Sequence, residues 1–180
     1  MNFYLIVVFL HILGAAGLFL GLGMEGVTLK FLNRASSTEQ VLSQQPSLKL
    51  MRIIFGISAI LLLLSGIYMA ERVWGWTGWV TIGLIMLVAL SGSGSMSGKK
   101  IGDLMKSLGK SGGSLSTEIR EKLSAPFLHK TYKIRILLVI GTIFIMTLKT
   151  DWLASIAVIV ITFLIGLLIS GASAKSRETN

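Results

Sequence analysis

Apolar residues along the chain gather into five runs separated by short polar breaks, at about residues 3–23, 53–70, 76–96, 134–149 and 152–172. A helix crossing the hydrocarbon core of a bilayer needs about 20 mostly apolar residues. Four of the runs approach that length directly. The fourth has a short uncharged core, Ile136–Leu148, extended at its start by amphipathic residues from Phe127. The pattern predicts an all-α fold: a polytopic membrane bundle of five transmembrane helices forming one domain over residues 1–180. Lys149-Thr150-Asp151 joins the last two helices as a tight hairpin, and Glu71-Arg72 with the Trp-rich turn to Trp76 joins the second and third.

Two polar stretches are longer. The first helix is expected to continue to about Asn33, before Ala35-Ser36-Ser37 breaks it. Ser36-x-x-Glu39 has the capping-box pattern, so a short helix is expected before Pro46. In residues 98–133, Ile101, Leu104, Met105 and Leu108 recur at helical spacing, with Lys99, Lys100, Lys106 and Lys110 on other faces. That arrangement predicts an amphipathic helix lying on the membrane surface, its lysines on anionic headgroups. Ser111-Gly-Gly-Ser114 then breaks the chain, and Leu115, Ile119 and Leu123 form a second stripe before Pro126.

Composition sharpens this picture. Only 14% of the 180 residues are charged and mean hydropathy is +0.78, against about a quarter charged in soluble domains. The absence of cysteine excludes disulfides, thiolate catalysis and cysteine metal sites. The net charge of +9 reads as orientation and headgroup attraction rather than nucleic-acid binding. With the N-terminus outside and the C-terminus in the cytosol, Lys30, Arg34, Lys49, Arg52, nine residues from Lys99 to Arg135, Lys175 and Arg177 fall inside, which is 15 of 17 basic residues. Arg72 and Lys149 fall outside, beside Trp74, Trp76, Trp79 and Trp152 at the outer interface. Residues 3–13 followed by Ala15-Ala16-Gly17 have some features of a signal peptide. Met1-Asn2 brings no Lys or Arg to an n-region, so the segment is read as a retained span. The expected location is the inner membrane of a bacterium.

His11 is the ionisable residue deepest in any run. Groups at that depth are costly and usually face the bundle interior. His11, Gly14, Ala15, Leu18, Gly21, Leu22 and Glu25 share one helix face. One reading makes His11 a haem ligand, a metal ligand (with Glu25 as a second candidate) or a proton-relay group. The plainer reading, which we favour, is a neutral imidazole bonded to a carbonyl or hydroxyl of a neighbouring helix, with glycines allowing close approach. Glu25 is expected to pair with Lys30, Arg34 or Arg52. Ser91-Gly-Ser-Gly-Ser-Met-Ser-Gly98 lacks the lysine of a phosphate loop. Ser91 and His11 differ in depth by roughly 10 Å, which disfavours a serine–histidine dyad. His129 is expected among headgroups at the cytosolic interface. No catalytic residue is assigned.

Phe9-Leu-His-Ile-Leu-Gly-Ala-Ala-Gly-Leu-Phe19 resembles the leading helix of copper-resistance-D-like (CopD-like) membrane proteins. That group includes the HemJ-type protoporphyrinogen oxidase and uncharacterised integral membrane proteins of similar size. Gly75-Trp76 and Lys99-Lys100 look similar too. The resemblance implies haem b coordination at His11. The chain departs from the HemJ type at Ser93 and Gly94, where that type bears a histidine, and lacks its first-span tryptophan, so the uncharacterised branch is the closer likeness. The expectation drawn from all this is a non-enzymatic binding or accessory membrane protein. It would assemble through small-residue helix faces with a second copy or another membrane protein. A haem- or metal-binding redox protein using His11 is the alternative. A small transporter comes third, because broken helices and intramembrane charges are lacking.

Overall fold

In the computed structural model of the chain, the described residues are 3–111 and 126–178. Ser111-Gly-Gly-Ser114 beyond Ser111, the stripe Leu115, Ile119 and Leu123, and the side chain of Lys110 lie outside them. The elements are α1 (Phe3–Arg34), α2 (Thr38–Leu42), α3 (Gln45–Met69), a π-helical turn (Ala70–Trp74), α4 (Gly78–Ser111), α5 (Pro126–Leu148) and α6 (Trp152–Glu178). Five of these helices are long and apolar enough to cross a membrane. Pro46 and Pro126 sit in first turns, where the missing N–H costs no helical bond.

The outer faces of the spans are rich in large apolar side chains. Large side chains such as Phe9, Ile12, Leu20, Val88, Leu153 and Leu168 are exposed, Leu153 at 81%. No more than 28% of the residues in any span's most apolar window are buried within the chain. Such a surface is stable only against lipid, and the chain is a multi-pass membrane protein. The helices run up and down. Phe3, the π-turn, Gly78, Leu148 and Trp152 share one end, which carries all four tryptophans (the tryptophan end); the opposite end carries most of the basic residues.

Glycines set the helix spacings. At Gly14 a Cβ would lie 3.0 Å from Leu62 Cγ, and at Gly21 3.1 Å from the Phe55 ring, so α1 lies close along α3. Gly166 of α6 meets the Ile134 backbone of α5, and Gly141 of α5 meets Thr162 of α6. Gly78 of α4 abuts the backbone of Trp152. Several small-residue positions are thus used for packing between the chain's own helices, while Gly23, Gly56, Gly92 and Gly171 have nothing within 4 Å of where a Cβ would sit.

The first half of the polar segment behaves differently from the expected surface helix. No break follows Met96; α4 continues to Ser111. Ile101, Met105 and Leu108 are buried to within 2% exposure, against Leu29 and Leu32 of α1, Val41 of α2, Leu48 and Met51 of α3 and Leu128 of α5. The stripe faces protein rather than lipid because α1 and α3 extend equally far and offer apolar partners. Burial of each such side chain is worth about 1.5–3 kcal/mol. The cap of α2 is also shifted by one residue. Ser37 Oγ, not Ser36, accepts from the Gln40 N–H at 3.3 Å, while Gln40 Oε1 accepts from the Ser36 N–H at 2.9 Å.

At the tryptophan end, the π-turn closes with the Gly75 N–H donating to Ala70 O at 2.8 Å, and Gly75 has φ +68°, which glycine tolerates. Trp76 Nε1 donates to Glu71 Oε1 at 2.9 Å, an exposed bond outside the turn's own backbone closure. Asp151 caps α6 by accepting from the Ala154 N–H at 2.8 Å.

Candidate ligand cavity and the buried ion pair

His11 lies two turns into α1, opposite Ser65 of α3. Its Nδ1 is 2.9 Å from Ser65 Oγ. Ser65 Oγ also donates to Leu61 O, the carbonyl one turn back. A hydroxyl has one proton. With that proton on the carbonyl, Oγ accepts from the His11 Nδ1–H, which leaves the lone pair on Nε2. This tautomer follows from the hydrogen-bond network. Gly66 faces the imidazole, where a Cβ would lie 3.8 Å from His11 Cε1, and Ser58, seven residues before Ser65 on the same face, fills the space above Gly17. The hydroxyl partner expected for His11 is therefore present. In the sequence Ser65 carries no particular signal beyond being a lone hydroxyl in a leucine-rich run.

His11 lines a cavity of about 430 Å³ in the tryptophan-end half of the bundle. Ala15 of α1, Trp74 of the π-turn, Trp79 and Gly83 of α4 and Met146 of α5 also line it. Most of the remaining wall is Leu, Ile and Val. Thr142 and Thr147 line it too, but each donates its hydroxyl to its own helix, at 2.8 Å to Leu138 O and Ile143 O. Lys149, at φ +50°, is an exposed lining residue with its ammonium 5.9 Å from the Trp74 ring centre. The cavity thus offers apolar surface with one imidazole in its wall and one exposed cation among its lining residues. Ser91 does not line it, so the histidine and that serine stay apart.

Glu25 belongs to a different site. It is 14 residues beyond His11 on the same helix, about 21 Å along the axis. The two cannot share a metal ion, and among the described residues no group of three His, Asp or Glu is placed to hold one. Glu25 Oε1 accepts from Arg135 Nη2 of α5, and both residues are 3% exposed. The expected partners Lys30, Arg34 and Arg52 are not used. Sequence position groups Arg135 with the basic loop residues, yet it lies inside the bundle. One glycine admits the pair: at Gly94 of α4 a Cβ would lie 3.0 Å from Arg135 Nη1, while Gly26 of α1 makes room for the Tyr132 hydroxyl. Glu25 Oε2 and Arg135 Nε make no hydrogen bond. Neither described cavity reaches both His11 and Glu25, so the polar path that would favour a transporter does not run through them.

The remaining candidates are dispersed. His129 is half-buried in the first turn of α5, at the end opposite His11. Lys100 places its ammonium 4.1 Å above the Phe127 ring, while Lys99 and Lys106 border a second groove. Comparison of the chain with protein-family models, with curated proteins and with solved structures found no match.

Proposed function

We propose that this is a non-enzymatic membrane protein that binds a lipophilic molecule in the cavity between α1, α3, α4 and α5. The observation that carries the reading is the cavity itself. It holds about 430 Å³, within the range of small-molecule sites, and is largely apolar, with His11 in its wall and the exposed Lys149 among its lining residues. A ligand with an apolar body and a single hydrogen-bonding group suits it, since His11 Nε2 can accept one hydrogen bond. The charge distribution supports an N-terminus outside and a C-terminus in the cytosol; in the inner membrane of a bacterium, the location we propose, the cavity would then lie in the outer half.

A second reading is haem at His11, in line with the CopD-like resemblance. The Ser65 contact favours it, because Nε2 is the nitrogen left free to ligate iron. Met146, whose thioether is one of the ligand types found at haem iron, lines the same cavity. Bound there, haem would supply electron-transfer chemistry, and this chain would hold it through His11.

The two readings separate on one preparation. The protein purified from its own membranes is expected to show no Soret band. Organic extraction should release a lipophilic compound at a ratio near one per chain. Ala15→Phe, which fills the cavity, should lower that ratio at least about tenfold, a loss of roughly 1.4 kcal/mol or more. Equal extracts from both proteins would overturn the proposal. A Soret band that disappears in His11→Gln would replace it with the second reading.

A further inference from the structure

We infer that the groove between α3 and α4 at the basic end is a binding site for one anionic phospholipid. The groove holds about 530 Å³ and shares only Leu90 with the lining of the cavity around His11. On α4 it runs from Leu90 to Lys106, sixteen residues or about 24 Å. Its character changes along that length. Towards the middle of the bundle the walls are Phe55 and Ala59 of α3 and Leu90 of α4. Towards the basic end they are Arg52, Lys99 and Lys106, with Asp103 between the two lysines. Three cations against one carboxylate leave a net charge of +2 at that end.

The floor is built largely of glycines. Gly94, Gly98 and Gly102 follow one another at four-residue spacing on α4, and Gly56 faces them from α3 with nothing within 4 Å of where its Cβ would be. Arg52 is laid across this floor. Its Nη2 donates to Gly98 O, and the guanidinium rests against Gly102, where a Cβ would collide with it. That bond uses one of five N–H donors and holds the planar group in place; the side chain is exposed, so donors remain for a phosphate. Lys99 and Lys106 are seven residues apart, so they share a helix face and stand about 10 Å apart along it.

The apolar continuation decides between a lipid and a soluble phosphate. A free anion would use only the Arg52, Lys99 and Lys106 end. An acyl chain attached to the same phosphate would lie along Phe55, Ala59 and Leu90, at the depth where the helices face hydrocarbon. The groove matches both halves of the lipid in the right order.

The test uses the full chain, purified in detergent and mixed with equal amounts of phosphatidylglycerol and phosphatidylcholine, with lipid occupancy read by native mass spectrometry. The wild type should retain phosphatidylglycerol preferentially, by about fivefold for each basic residue engaged. Lys99→Gln with Lys106→Gln, both exposed, should remove most of that preference. Gly102→Ala should also reduce it without changing any charge, because it displaces Arg52. Equal retention of the two lipids by the wild type would overturn the inference. So would an unchanged preference in the double lysine variant, and so would release of phosphatidylglycerol by millimolar inorganic phosphate, which would mark a free-phosphate site.

Discussion

Replacing Arg135 with leucine is expected to destabilise the bundle by about 3–5 kcal/mol, the loss typical when one partner of a buried ion pair is removed. Glu25 would remain 3% exposed with its carboxylate unpaired, in a position water reaches poorly. The effect should depend on the surviving charge. Glu25→Leu combined with Arg135→Leu should recover most of the loss, because two apolar residues then replace two desolvated charges. The pair also ties α1 to α5, which otherwise meet sparingly. Unfolding of the reconstituted protein, followed by circular dichroism in a denaturant series, measures all three. An Arg135→Leu protein within about 1 kcal/mol of wild type would mean that Glu25 escapes burial or is protonated at little cost.

The second large effect is expected at Gly78. A Cβ there would lie 2.6 Å from Trp152 N and 2.7 Å from Trp152 Cα. Those are backbone atoms in the first turn of α6, so no side chain can swing aside. Gly78→Ala must separate α4 from α6, at a cost of about 1–3 kcal/mol, as is usual for overpacking. Gly92 provides the opposite sign. It lies within α4 with nothing within 4 Å of where a methyl group would sit. There, Gly92→Ala should stabilise by about 0.5–1 kcal/mol through helix propensity alone. Thermal unfolding of both variants in one detergent checks the contrast. Two shifts of the same sign would show that contact at Gly78 is not what fixes the α4–α6 distance.

The spans were legible because bilayer thickness imposes a length on apolar runs, and Lys149-Thr150-Asp151 and Glu71-Arg72 mark turns that hydrocarbon would not admit. What pairs across the bundle was not legible. Arg135 sits in a basic stretch of sequence, and nothing local points to Glu25, 110 residues earlier. The stripe Ile101, Leu104, Met105 and Leu108 has the same period whether it meets lipid or protein. Only the parallel extension of α1 and α3 decides that it is core. His11 stood out because an imidazole is rare at that depth, and its need for a hydroxyl or carbonyl followed from desolvation. That the hydroxyl is Ser65 rather than Ser58 depends on the register of α1 against α3, which Gly14 and Gly21 set through their contacts with Leu62 and Phe55. Helical periodicity places residues on faces but carries no information about which faces meet.

The central claim is that the cavity beside His11 holds a lipophilic ligand, and tryptophan fluorescence tests it most directly. Of the four tryptophans, Trp74 and Trp79 line the cavity, with ring centres 4.9 Å apart, while Trp76 and Trp152 are exposed on the surface. Trp76→Phe with Trp152→Phe leaves only the cavity pair to report. Titrating that protein in micelles with a dibrominated fatty alcohol, which quenches indole on contact, should give quenching that saturates, and adding Ala15→Phe should abolish the saturable part. Quenching that rises without saturation, and equally with and without Ala15→Phe, would show that the bromines reach the rings only from the surrounding lipid and would contradict the account.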